Sequence, residues 1–173
     1  MEQTVAAVSQ IYSLNARLLL NCIVGVSDAH AAERVLPGTN SMAFVVAHLI
    51  DARYSVAQLL GRPLFNPLAT VLGDAKRIEE VKQLPSLFEL RNMWLLVGNH
   101  LEDCLETAAS ELLAAPSPEA FPVSDGSVLG AVAFLAQHES YHIGQLGLLR
   151  KALGYPPMSY TDTGSRTDAE QGG

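Results

Sequence analysis

The sequence predicts an all-α protein, a four-helix bundle. Four long stretches repeat apolar residues at steps of three and four, capping and stop residues stand at their ends, and no stretch reads convincingly as a strand. The first helix is expected from about Thr4 to Val26, where Val8, Ile11, Tyr12, Asn15, Leu18, Leu19 and Cys22 form one stripe. The second starts at Thr39-Asn40-Ser41, good N-cap chemistry, and runs to Leu60 with Gly61 placed to stop it. Pro85 and the capping box Ser86-Leu87-Phe88-Glu89 open the third. Its stripe of Leu90, Trp94, Val97, Leu101, Cys104, Leu105, Ala108 and Leu112 continues until Pro116 and Pro118 end it. The fourth begins around Ser127 and continues to Leu153, closed by Gly154 and Pro156-Pro157.

The connections are unequal. About 14 residues join the first two helices, whereas Gly61 to Leu84 is far longer than the roughly 2 to 8 usual between neighbouring helices of a bundle. That segment is expected to be a crossover that lets the second and third helices run parallel, with a short surface helix from Asp74 to Leu84 turning Ile78, Val81 and Leu84 inward. A chain of 173 residues suits one domain over residues 1–160, and the Thr-, Gly-, Asp- and Ser-rich tail 161–173 has nothing to bury.

Composition excludes several classes. With 11 basic against 18 acidic side chains and no basic cluster, the surface should repel phosphate backbones, so no nucleic-acid partner is expected. The most apolar segment, Leu18 to Val26, is interrupted by Asn21 and falls short of the roughly 20 residues a membrane span requires. Met1-Glu2-Gln3 does not open a secretion signal, and Cys22 and Cys104 sit among apolar residues as small hydrophobes rather than as a disulfide pair. A cytoplasmic, reduced setting is the expectation.

The chemistry concentrates in histidines. His138 and His142 lie one turn apart in Leu135-Ala-Gln-His-Glu-Ser-Tyr-His-Ile-Gly-Gln-Leu146, close enough on one helix face to share a metal ion. At about 100° per residue they group with Ala131, Phe134, Leu135, Tyr141, Gln145, Leu149 and Ala152, which is read as the apolar stripe, so the pair is expected to point inward. Buried imidazoles need partners, which either a metal or hydrogen-bonding core neighbours can supply. Of the other histidines, His30 falls in a loop and is expected in solvent, and His100 lies at the edge of its stripe. His48 sits in the apolar run Met42 to Ile50 and shares its face with Phe44, Asp51, Ala52 and Ser55. A set of His48, His138 and His142 would draw ligands from facing helices and leave positions open, as catalytic metals require.

Val46-Ala47-His48-Leu49-Ile50-Asp51 in the second helix, paired with His138-Glu139-Ser140-Tyr141-His142-Ile143-Gly144-Gln145-Leu146 about 90 residues later, resembles the DinB-like (DinB/YfiT-like) metalloenzyme family. The likeness runs from the first helix to Gly154. It implies a four-helix bundle of up-down-down-up connectivity, a divalent metal such as zinc or nickel held by His48, His138 and His142, and a homodimer. It also implies a small-molecule substrate, attacked by a metal-activated low-molecular-weight thiol in transferase or isomerase chemistry. Hydrolysis by metal-bound water is the simpler variant, and a non-enzymatic metal-binding or stress-response module is the alternative.

The same segment matches H-E-x-x-H, the zinc-peptidase signature in which the glutamate activates water. Its extension fails, because Gln145 and Leu148 stand where glycine and histidine belong, and the chain has no room for the strands of such enzymes. Glu139 is therefore expected at the rim of the site or in solvent. Asp51 and Gln145 are candidates to hold the ligands or a bound water by hydrogen bonds, Asn15 is placed to reach the cavity, and Tyr141 and Trp94 are read as core.

Overall fold

A computed structural model of the chain describes residues 2–73, 80–81 and 83–161. Among these residues there are seven helices and no strand: α1 (Glu2–Ile23), α2 (Asp28–Ala32), α3 (Met42–Leu59), α4 (Ala69–Leu72), α5 (Leu87–Thr107), α6 (Ser110–Ala114) and α7 (Val128–Ala152). The long helices α1, α3, α5 and α7 are the four expected from periodicity. Each of α1 and α3 packs against both α5 and α7, an arrangement consistent with a bundle. No helix among the described residues is long and apolar enough to cross a membrane.

Local chemistry sets the ends. Ser41 accepts from the Phe44 N–H, Ser127 from that of Gly130, and Ser86 and Glu89 close a reciprocal capping box, which satisfies donors that the first turns leave unpaired. Gly61, at φ +73°, reverses the chain after α3 in a conformation that a side chain would oppose. At the C-terminal end of α1 the Arg150 guanidinium donates to the carbonyls of Cys22 at 3.1 Å and Val24 at 2.7 Å, tying α1 to α7.

The third long helix is shorter than expected. It ends at Thr107, and residues 108 and 109 are extended before α6. The Thr107 hydroxyl donates back to the Asp103 carbonyl at 2.7 Å, a local bond that competes with helix continuation. The break re-aims the chain so that Leu113, rather than Leu112, enters the core against α7. The helices α2 and α4 are too short to show periodicity. Val81 and Leu84 pack on the core as expected, whereas Asp74 to Ile78 and the tail after Thr161 lie outside the described residues.

α3 is buried on almost every side, and its half-buried or exposed positions His48, Asp51, Ala52, Ser55, Gln58 and Leu59 mark its outward face. The core falls into two apolar clusters, one containing Trp94 and the other Tyr12. Between them lies the Arg53 guanidinium, its centre 3.6 Å from the Trp94 ring centroid and 5.9 Å from that of Tyr12. Cys22 and Cys104 are both buried as free thiols.

Candidate metal centre

α3 supplies His48 and α7 supplies His138 and His142, and their ring nitrogens converge. The Nε2 of His138 lies 3.4 Å from that of His48 and 3.1 Å from that of His142. One candidate ligand atom from each of the three falls within 4.8 Å of the other two. Two nitrogens each about 2.0–2.1 Å from a shared tetrahedral ion would stand about 3.3–3.4 Å apart, so the spacing suits such an ion.

The protonation pattern that hydrogen bonding favours is the one a metal needs. Gln145 Oε1 lies 2.7 Å from His142 Nδ1, and an amide oxygen only accepts, so the proton resides on Nδ1 and the Nε2 lone pair faces its neighbours. His138 Nδ1 is buried with no hydrogen-bond partner. With the His142 proton on Nδ1, the His142 Nε2 lone pair needs a partner, and a cation placed among the three Nε2 atoms would supply one for it and for its neighbours. Burial lowers both His138 and His142 below the ordinary imidazole value. The charge of His142 lowers His138 further, and the Gln145 hydrogen bond partly opposes the shift of His142. Both rings are thereby held neutral, the form that ligates metals.

The site is more open than the sequence suggested. Ala131 and Leu149 of the expected stripe are buried, but the buried face of α7 continues through Val128, Gly130, Val132, Ala136, Glu139, Ile143, Leu146 and Arg150, so its centre lies about one residue around the helix from the one expected. His138 and His142 stand at its margin, half-buried. Tyr141, expected in the core, is 59% exposed, with its ring centroid 5.2 Å from that of His142. On the other side Phe134 stacks beside His138 at 6.2 Å, with Phe121 against Phe134 at 5.5 Å.

Glu139 is neither at the rim nor in solvent. It is 2% exposed, and its carboxylate takes two hydrogen bonds of 2.8 Å from Arg53 Nε and Nη2, whose residue is 1% exposed. Arg53 Nη2 also donates to the Tyr12 carbonyl at 3.1 Å. A carboxylate so committed points away from the imidazoles and is not placed to activate water over them, which removes the peptidase reading of the motif. The pair was missed although its signal was present: a glutamate and an arginine each occupy the centre of an apolar stripe, where a charge needs an opposite charge.

The remaining candidates resolve individually. Asp51 Oδ1 accepts from Asn66 Nδ2 at 2.6 Å, so this carboxylate is engaged by the loop after α3. Asn15 is turned to α7, where its amide donates to the Ala136 carbonyl and Ser140 hydroxyl, rather than to the histidines. Trp94 is core, with its indole N–H on the Ala16 carbonyl at 3.0 Å. His30 is exposed on α2, 2.7 Å from the Tyr155 hydroxyl, and His100 Nε2 donates to the Arg62 carbonyl at 2.8 Å; neither joins the cluster.

No curated protein matches the chain. The model of the DinB superfamily matches residues 12–146, a span that includes all three clustered histidines. That span is well over half of the sequence, and the chain belongs to the DinB superfamily.

Proposed function

We propose that His48, His138 and His142 hold a divalent metal, zinc or nickel, and that the protein is a metal-dependent enzyme acting on a small molecule. The observation that carries this reading is the convergence of ring nitrogens of His48, His138 and His142, from facing helices, on one point. Such an ion supplies Lewis-acid chemistry at positions that a three-histidine set leaves open.

The chain's own residues do the rest. Gln145 orients His142 through Nδ1, and Phe134 and Tyr141 flank the imidazoles with apolar surface that suits an uncharged or aromatic portion of a substrate. Thiol-dependent transfer or isomerisation is the favoured reaction class, because among the described residues no carboxylate is free beside the imidazoles to serve as a base: Glu139 is paired with Arg53, and Asp51 is bonded to Asn66. A thiol loses its proton to solvent more readily than water does once near a cation, and so needs such a base less.

That same shortage of a free acid or base favours a second reading, a metal-binding module without turnover. The two are separated by assaying metal-loaded protein with low-molecular-weight thiols and electrophilic acceptors. Thiol consumption that disappears in the His138→Ala variant supports the enzyme; consumption equal in wild type and variant removes it. A homodimer with up-down-down-up connectivity, in the cytoplasm, completes the proposal, and the solution mass tests its first element.

A further inference from the structure

Arg53 of α3 lies buried between the two apolar clusters, and its guanidinium reaches the other three long helices at once. Nε and Nη2 donate to the two Glu139 carboxylate oxygens of α7 at 2.8 Å each, and Nη2 donates to the Tyr12 carbonyl of α1 at 3.1 Å. The guanidinium centre stands 3.6 Å from the ring centroid of Trp94 on α5. The remaining edge is closely packed too, since a Cβ added at Gly98 of α5 would fall 2.8 Å from Nη1. A planar fork gripped along its edges and on one face has one position relative to the helices around it.

Its location bears on the histidines. Glu139 follows His138 directly and Arg53 lies five residues after His48, so the pair bridges the two helices that carry the cluster. The histidines apart, the side-chain hydrogen bonds that join α3 to α7 are the two between Arg53 and Glu139. Apolar residues of both helices flank the pair: Ile50 and Ile143 belong to one cluster, Val56 and Val132 to the other. Apolar contact is non-directional, and cores held by it alone lose a unique arrangement before they lose stability, whereas metal ligation tolerates about ±0.2 Å in its distances. A buried ion pair gives little net stability over an apolar pair of similar volume, so what it adds at this junction is direction.

We propose that Arg53 and Glu139 are positioning residues for the histidine cluster: their ion pair fixes the register of α3 against α7 and thereby sets His48 opposite His138 and His142. Both side chains point into the core while the imidazoles stand at its margin, so the effect passes through the helix backbones. The role rests on the proposal that the three histidines hold a metal, but the register itself exists without an ion and is measured without one.

Two variants of the full chain test it. Arg53→Met with Glu139→Leu removes the pair without leaving a buried charge, and Arg53→Lys keeps the charge but loses the fork. Nitroxide labels on Gln58→Cys of α3 and Gln137→Cys of α7, both exposed positions, report the helix register in metal-free protein by dipolar electron paramagnetic resonance; Cys22 and Cys104 are buried. Zinc affinity is measured by chelator competition, and the cobalt(II) absorption spectrum reports ligand geometry. An excess of ion still fills a displaced site, so affinity rather than content is the readout. Wild type is expected to give one narrow distance distribution. Both variants should broaden or displace it, alter the cobalt bands and bind zinc about 10- to 100-fold more weakly, even where the double variant regains the wild-type melting temperature. A merely structural pair would return affinity together with stability. Wild-type distances or wild-type zinc affinity in either folded variant would overturn the proposal. A wild type that binds no zinc, with the distances still changed in the variants, would remove the metal reading and leave the register role standing.

Discussion

Replacing Glu139 by glutamine separates the two meanings of the H-E-x-x-H match. The wild-type carboxylate forms two 2.8 Å bonds with Arg53 in a place where both residues are at most 2% exposed. Removing one charge from such a pair leaves the other buried without compensation, which costs about 3–5 kcal/mol. Glutamine keeps one acceptor for the guanidinium, so the lower end, about 3 kcal/mol, is expected. For a chain of this size each kcal/mol moves the melting temperature by about 2–4 °C, which gives a fall of about 6–12 °C. Urea unfolding of wild type and Glu139→Gln, each with and without chelator, measures the loss, and metal content measured on the folded variant should match wild type. The double variant Arg53→Met with Glu139→Leu should recover much of the stability, because an apolar pair of similar volume leaves no buried charge. A Glu139→Gln protein of wild-type stability would refute the structural role. If it also lost activity while keeping its metal, the glutamate would be catalytic after all.

Other perturbations give independent checks. Gln145→Leu removes the acceptor at His142 Nδ1 and should lower metal affinity about 10- to 100-fold in a chelator competition; unchanged affinity would mean that the amide does not orient the ring. The folded protein keeps His138 and His142 neutral to lower pH than the unfolded chain does, so as pH falls the unfolded state takes up protons first. This contribution to metal-free stability is therefore complete above about pH 6.5 and lost as pH falls through the lowered folded values. Urea midpoints at about pH 7.5 and about pH 5 should differ more in wild type than in His138→Gln with His142→Gln, and equal differences would contradict the assignment. Burial pushes the Cys22 thiol up to about 11 against the opposing charge of Arg150, so alkylation of native protein at about pH 8 should spare Cys22, and rapid labelling there would show that the core opens.

Much of this molecule could be read from residues alone. The four long helices were legible because periodicity, the Ser41, Ser86 and Ser127 caps and the Gly61 stop agree with one another. The clustering of His48 with His138 and His142 was legible because two imidazoles on one helix face called for a partner group on a facing helix. What escaped was set by tertiary contacts. The side on which α7 buries itself depends on its neighbours, and because Glu139 finds Arg53, a charged residue lies on the buried stripe while Tyr141 faces solvent. Periodicity that treats every glutamate as polar shifts that stripe by about one residue. The break after Thr107 was hidden for a similar reason: Ala108 and Leu112 continue the apolar rhythm, and only the packing of Leu113 on α7 shows why the chain leaves it.

Three histidines, from α3 and α7, are proposed to form a single metal site. Its most direct measurement is the metal bound per chain, determined by elemental analysis after equilibration with zinc or nickel and removal of excess ion, for wild type and for His48→Ala of matched helicity. The expected result is a single equivalent in wild type and its loss in the variant, because two histidines of one helix hold an exchangeable ion far more weakly than three from two helices. Full retention of the ion by folded His48→Ala would contradict it.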